Sequence, residues 1–239
     1  MSQTVMITGA SRGIGRTIAL YFARAGYDLV LTCRTKIQEL TDYAVFLEQE
    51  YHIQCSAHQA DMGNWEDVCR VFQTMPHLDV LINNAGISYV GLLTDMSPDD
   101  WHQLMRTNLD SCFYTSKLAI PLFLQTHQGR ILNISSVWGN VGASMEVAYS
   151  ASKGAVNSFT KALAKELAPS NIAVNAIACG IIDTEMNNHL SLEEKEAICA
   201  EIPADRMGTC EEVAQLVLQT VQAPSYLTGQ IITIDGGWC

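Results

Sequence analysis

Tyr149 and Lys153 are separated only by Ser150, Ala151 and Ser152. On a helix this spacing stacks the two side chains on one face, one turn apart, and brings an ammonium under a phenol. A cation at that place favours the phenolate and makes the phenol a stronger acid. An ordinary amphipathic helix whose first turn happens to carry both residues has the same spacing, so the pair needs support from the rest of the chain. A second candidate is the stretch ITGASRGIG, with glycines at 9, 13 and 15. Glycines so placed let the backbone turn tightly and approach a pyrophosphate, while the helix that follows offers free amides and the positive end of its dipole. The spacing is GxxxGxG, which differs from the commoner GxGxxG.

Both features need a scaffold, and short apolar or β-branched runs recur along the chain between amphipathic segments. That is the pattern of strand and crossover helix in a parallel sheet. Strands are expected at Val5 to Thr8, Leu29 to Cys33, Ile53 to His58, Val80 to Ile82, Ile131 to Ile134, Ile172 to Ala178 and Ile231 to Ile234. Ile14, Ile18, Ala19, Phe22 and Ala25 give the first helix its apolar stripe before Gly26 stops it. Ser97 and Pro98 form an N-cap and first-turn pair that opens a long helix through about Leu124. The helix carrying Tyr149 and Lys153 runs to Leu167, and Pro169 ends it. Residues 181–208 contain no clean strand, and 185–205 are expected to form a lid over the substrate. The glycine turn then falls between the first strand and the first helix, where a phosphate-binding turn belongs. One α/β domain spanning 1–239 is expected, a doubly wound Rossmann-type fold with about seven parallel strands and helices on both faces.

Composition narrows the function. With 239 residues, 48% hydrophobic and 16% charged, the chain can bury a full core and is not disordered. The net charge of −11 argues against general nucleic-acid binding. The start MSQTVMITGA has no basic segment followed by an apolar run, and no stretch reaches the ~18 apolar residues of a membrane span. A cytoplasmic protein is expected. Eight cysteines and six histidines show neither zinc-ligand spacing nor a disulfide framework, so no metal is expected.

Thr8-Gly9-Ala10-Ser11-Arg12-Gly13-Ile14-Gly15, Asn83-Asn84-Ala85-Gly86, Asn108, Ser136 and Tyr149 with Lys153 together resemble the short-chain dehydrogenase/reductases, and the resemblance runs through to LTGQIITIDGGW. It implies a nicotinamide cofactor at the carboxyl edge of the sheet and a homotetramer. It also implies a catalytic set of Asn108, Ser136, Tyr149 and Lys153. In reduction Ser136 would hydrogen-bond the carbonyl oxygen of a ketone while Tyr149 gives it a proton, as hydride reaches the carbon. Lys153 and the nicotinamide charge formed on oxidation would together lower the phenol's pKa, Lys153 would also hold the nicotinamide ribose, and Asn108 would anchor a water that passes protons to it. The family's cofactor positions fall on Gly9, Ser11, Arg12, Gly13, Ile14, Gly15, Asp61, Asn83, Ala85, Gly86, Gly180, Ile182 and Thr184, together with Tyr149 and Lys153.

Cofactor choice turns on the end of the second strand, where an NAD site commonly places an acid for the ribose 2′-hydroxyl. Here Cys33-Arg34 stands instead, and Arg34 with Arg12 would clamp a 2′-phosphate, which points to NADPH. The family's Pro-Gly after the sixth strand is replaced by Cys179-Gly180. A packing role is expected for Cys179.

Within the family the pattern is closest to 3-oxoacyl-acyl-carrier-protein reductases. The basic positions that dock the carrier there correspond to His127 and Ser170, with Arg130 nearby. Ser135-Ser136-Val137-Trp138-Gly139, Gly142 to Val147 and Gly236-Gly237-Trp238 also resemble reductases of the 5-aminopentanone modification on elongation factor P. Glu146, three residues before Tyr149, either reads a cationic substrate tail at the pocket mouth or is a solvent-facing glutamate favoured by the helix dipole. Trp138 and Met145 are candidates for the apolar wall of the substrate pocket. A hydroxysteroid or sugar dehydrogenase on the same scaffold, and a regulator that senses NADPH without turnover, are the competing readings. A sensor would not need the Asn108, Ser136, Tyr149 and Lys153 set.

Overall fold

The computed structural model describes residues 2–188 and 190–239. Seven strands alternate with helices: β1 (Thr4–Ile7), α1 (Gly13–Arg24), β2 (Asp28–Cys33), α2 (Ile37–Tyr51), β3 (Cys55–Gln59), α3 (Trp65–Gln73) and β4 (Val80–Asn83) form the first half. The second half is α4 (Pro98–Met105), α5 (Ser111–Thr126), β5 (Gly129–Ser136), the short α6 (Trp138–Val141), α7 (Val147–Leu167), β6 (Ile172–Cys179), α8 (Leu192–Glu201), α9 (Cys210–Gln222) and β7 (Ile231–Ile234). All strand pairs are parallel, in the order β3-β2-β1-β4-β5-β6-β7. The expected single doubly wound α/β domain is therefore what the chain forms.

Both faces of the sheet are covered, so its strands read as nearly unbroken apolar runs. Successive residues of β1 show how the two layers divide. Val5 and Ile7 enter a core with Ile18 and Phe22 of α1, Leu40 and Leu47 of α2, and Val213 and Val217 of α9. Met6, one residue along and on the other face, enters a core with Phe72 of α3, Phe123 of α5 and Leu163 of α7.

Local chemistry sets several helix starts. The side chain of Ser97 accepts from the Asp100 amide ahead of Pro98, and Asn64 does the same for Asp67 at α3. Thr209 with Glu212, and Ser191 with Glu194, form capping boxes at α9 and α8. Some boundaries differ from the sequence reading. β3 begins at Cys55, because Ile53 follows the left-handed cap His52 and precedes the ladder. β5 runs on through Ser136, which therefore ends a strand rather than following one. The long helix from Pro98 is interrupted by a π-turn at Arg106–Asp110, so that Asn108 turns inward from a widened turn.

The chain runs outward from β1 to β3 and then returns to β4 on the other side of β1. This reversal opens a crevice at the carboxyl ends of β1 and β4, the place where open α/β sheets bind ligands. Within 181–208 the described residues form a 3₁₀ turn at Glu185–Asn187, the helix α8, and one isolated bridge between Ile182 and Gly208. Of the expected lid at 185–205, His189 lies outside the described residues.

Candidate active site

A cleft of about 460 Å³ occupies that crevice. Its floor is the glycine turn, with Gly9, Ser11, Arg12, Gly13, Ile14 and Gly15 all lining it. Close packing explains two of the glycines. A Cβ on Gly9, whose φ is +67°, would stand 2.9 Å from the Ala85 Cα, and one on Gly15 would stand 2.4 Å from both the Asn84 side-chain nitrogen and the Gly9 carbonyl oxygen. The first helix has no side-chain cap at Arg12 and no acid in its first turn, so its N-terminal amides face the cleft uncompensated. The hydroxyl of Thr32 is buried without a hydrogen-bond partner, and Thr32 too lines the cleft. A phosphate-bearing dinucleotide fits these features: free amides for its phosphates, room over the turn, and an orphan hydroxyl beside the end of β2.

The remaining expected cofactor residues Arg34, Asp61, Ala85, Gly86, Gly180, Ile182 and Thr184 also line the cleft. Asn83 does not. Its side chain donates to Asn133 at 2.9 Å and accepts from Thr115 at 2.7 Å, inside a buried polar network. Asn84 takes the place expected of Asn83: it lines the cleft and donates to the carbonyls of Thr8 and Gly9 at 2.9 and 3.0 Å. The sequence reading also missed Lys36, which lines the cleft two residues after Arg34, and Trp238, which reaches it from the far end of the chain.

Ser136, Tyr149 and Lys153 come together at the other end of the cleft. Three contacts lock β5 against α7 and so fix their relation. Lys153 Nζ donates to the Ile134 carbonyl at 2.8 Å, Ser135 donates to Asn157 at 2.6 Å, and Asn133 donates to Thr160 at 2.8 Å. Gly139 lets α6 lie against α7, since a Cβ there would be 2.7 Å from the Lys153 carbonyl carbon. Asn108, expected in the catalytic set, does not line the cleft. Its side chain accepts from the Ile87 amide at 2.8 Å and donates to the Ile87 carbonyl at 2.9 Å and to Ser152 at 3.0 Å. Through these bonds it clamps the loop after β4 against α7. Ser152 is consequently turned inward.

In the protein without cofactor the phenol's pKa is raised. Tyr149 keeps its proton more tightly than a free phenol, chiefly because burial penalises the phenolate, then because of the Glu146 carboxylate and the Cys179 thiol, with a Ser136 hydrogen bond acting the other way. Lys153 lies over the ring, 5.6 Å from its centre. Burial also lowers the pKa of Lys153 itself. Cys179 lines the cleft with its thiol pushed up to about 12, again by burial, which is the inert packing role expected of it.

At the substrate end Trp138 and Glu146 line the cleft, and Met145 does not. Met145 has φ +63° and is exposed, a turn residue whose backbone carbonyl accepts from the Gly91 amide at 2.8 Å. Glu146 precedes α7 but makes no capping bond with its side chain. Its carboxylate accepts from the Trp138 indole at 3.1 Å, and Trp138 packs on Trp238 with ring centroids 4.9 Å apart. Glu146 is therefore a half-buried group of the cleft and not a solvent-facing helix cap. Among the described residues no group of histidines, cysteines and acids is arranged to hold a metal ion, and no helix is long and apolar enough to cross a membrane.

The sequence model of the family described as short chain dehydrogenase matches residues 3–195. The chain is 37% identical over 240 residues to the uncharacterized oxidoreductase YmfI of Bacillus subtilis (strain 168), covering 100% of this chain and 99% of that protein. It is 37% identical over 237 residues to the 3-oxoacyl-acyl-carrier-protein reductase FabG of Aquifex aeolicus (strain VF5), covering 97% and 95%. Among solved structures, YwfH, described as an NADPH dependent reductase involved in bacilysin biosynthesis, superimposes with a TM-score of 0.93 at 26% identity, covering 100% of this chain and 99% of that one. The acetoin dehydrogenase YohF from Salmonella typhimurium superimposes with a TM-score of 0.89 at 29% identity, covering 100% and 97%.

Proposed function

The chain belongs to the short-chain dehydrogenase/reductase family and is an oxidoreductase similar to the 3-oxoacyl-acyl-carrier-protein reductases, and from that premise we propose that it reduces a ketone to a secondary alcohol with NADPH. The observation that carries this reading is the convergence of Ser136, Tyr149 and Lys153 on the same cleft as the glycine turn. A nicotinamide held in this cleft would supply the hydride.

Tyr149 does the acid work of reduction. Held protonated by burial and by Glu146, it has a proton to give to the ketone oxygen at neutral pH. Ser136 donates a hydrogen bond to the same oxygen as negative charge develops there. Lys153, over the Tyr149 ring, stabilises the phenolate left behind and would hold the nicotinamide ribose. Asn108 acts behind them by fixing Ile87 and Ser152. Arg12, Arg34 and Lys36 gather at the cofactor end of the cleft, where no acid follows Cys33, and this supports NADPH over NADH. Residues 185–205 serve as the lid, since Glu185, Met186, Leu190 and Ile198 border the cleft while none of α8 is buried in the core. The exposed Phe113 and Leu124 on α5 suit a subunit contact of the proposed homotetramer.

A second reading concerns the substrate. A ketone with a free amine, such as the aminopentanone group on an elongation factor, is favoured by one observation: the Glu146 carboxylate lies within the cleft beside the paired indoles of Trp138 and Trp238. A carboxylate and aromatic faces attract a cation and disfavour an apolar acyl chain. The test is a panel of NADPH oxidation assays with acetoacetyl thioesters, the aminopentanone-modified factor and steroid ketones, with wild type and Tyr149→Phe, and with NADH beside it. Turnover that survives loss of the Tyr149 hydroxyl refutes the mechanism, and equal rates with both cofactors refute the arginine argument. An unchanged preference between amino-ketone and neutral ketone in Glu146→Gln refutes the second reading.

A further inference from the structure

Arg12 stands in the glycine turn, and its Nη1 lies 2.9 Å from Oε2 of Glu185, a residue 173 positions away in the sequence. The two segments touch beside this bond as well, for a Cβ on Gly13 would meet the Thr184 side chain at 3.6 Å. The stem that presents Glu185 is tied down: Asn187 donates to the Ile182 carbonyl at 2.7 Å, and Ile182 forms a bridge with Gly208. Both charged groups line the cleft. Their side chains are 58% and 51% exposed, so the pair is screened by water and readily exchanged for a stronger partner.

Arg12 is one of the two arginines assigned above to the cofactor 2′-phosphate. A phosphomonoester carries nearly two negative charges and binds a guanidinium more strongly than one carboxylate does. NADH has no such group at its 2′-position. We propose that Glu185 competes with the 2′-phosphate for Arg12 and is thereby a specificity-determining residue, setting how strongly NADPH is preferred over NADH. NADPH must displace Glu185 and so removes one tie on the stem of the segment over the cleft, whereas NADH leaves the ion pair in place. The inference rests on the reading of the protein as NADPH-dependent.

Binding titrations of NADPH and NADH, followed by nicotinamide fluorescence at low ionic strength, test it on the full chain as wild type, Glu185→Gln, Arg12→Gln and the double variant. Glu185→Gln tightens NADPH by about 2- to 5-fold, the range of an exposed ion pair, and leaves NADH unchanged. In the Arg12→Gln background the same substitution gains nothing, which separates competition for Arg12 from simple repulsion of phosphate by Glu185. Hydrogen exchange at residues 185–187 is faster in wild type with NADPH than with NADH, and the difference disappears in Glu185→Gln. Weaker NADPH binding by Glu185→Gln, equal tightening of both cofactors, or a gain that persists without Arg12 overturns the proposal. A wild type that binds NADH as tightly as NADPH overturns the underlying cofactor reading instead, before any variant is compared.

Discussion

The Lys153 ammonium lies 5.6 Å from the centre of the Tyr149 ring while its Nζ donates to the Ile134 carbonyl at 2.8 Å. A lysine in that position is directed by the strand below it as much as by the phenol beside it. In the protein alone burial, with the Glu146 carboxylate, raises the pKa of Tyr149.

Glu146 therefore has a pH signature. A negative neighbour raises the pKa of an acid, so Glu146→Gln lowers that of Tyr149. The basic limb of the reduction pH profile, where Tyr149 loses its proton, moves to lower pH. The rise of alcohol oxidation with pH, which needs the phenolate, moves the same way. Ultraviolet difference titration against Tyr149→Phe follows the phenol directly, and a shift to higher pH contradicts the assignment.

Tyr149→Phe keeps the ring and removes the acid. Its kcat for reduction falls by about 10²- to 10⁴-fold, the range of a positioned general acid, with NADPH affinity retained. Single-turnover assays and cofactor titration measure the two effects separately.

Asn108→Ala behaves differently, because the side chain satisfies both backbone groups of Ile87 and meets Ser152. Leaving buried partners unpaired costs about 1–3 kcal/mol. Chemical denaturation of this variant shows lost stability together with lost activity, where Tyr149→Phe loses activity with its unfolding midpoint nearly kept.

Gly139→Ala drives a methyl group to 2.7 Å from the Lys153 carbonyl carbon and 2.9 Å from the Gly154 amide. Both are backbone atoms of α7, so α6 must move away and carry Trp138 with it. Overpacking of this kind costs about 1–3 kcal/mol. Thermal melts register the loss, and the KM for the ketone rises because the Trp138 wall is displaced.

Much of the scaffold was legible because its signals are local. Ile18, Ala19 and Phe22 repeat at helical spacing and are buried, and Ser97 with Pro98 starts α4 where expected. Where the lining of the cleft differs from the expected one, adjacent residues divide. Asn83 and Asn84 are adjacent and of one type, yet the first ends β4 and faces the inner network while the second enters the cleft. Met145 and Glu146 divide in the same way, with the left-handed turn at Met145 sending it outward. Alternation makes neighbouring side chains diverge, and a strand's last residue is not marked in its sequence. The basic residue Lys36, two places after Arg34, was a signal that had been available.

The sequence by itself determined the alternating α/β order, the glycine turn between the first strand and helix, and the one-turn spacing of Tyr149 and Lys153, because backbone periodicity and steric freedom act over a few residues. Only the tertiary structure decided that Trp238 meets Trp138, that Glu185 holds Arg12, and that burial and Glu146 act on Tyr149 in the protein alone. Those properties come from distant segments packed together and from the water they exclude, and neither is written in the spacing of neighbouring residues.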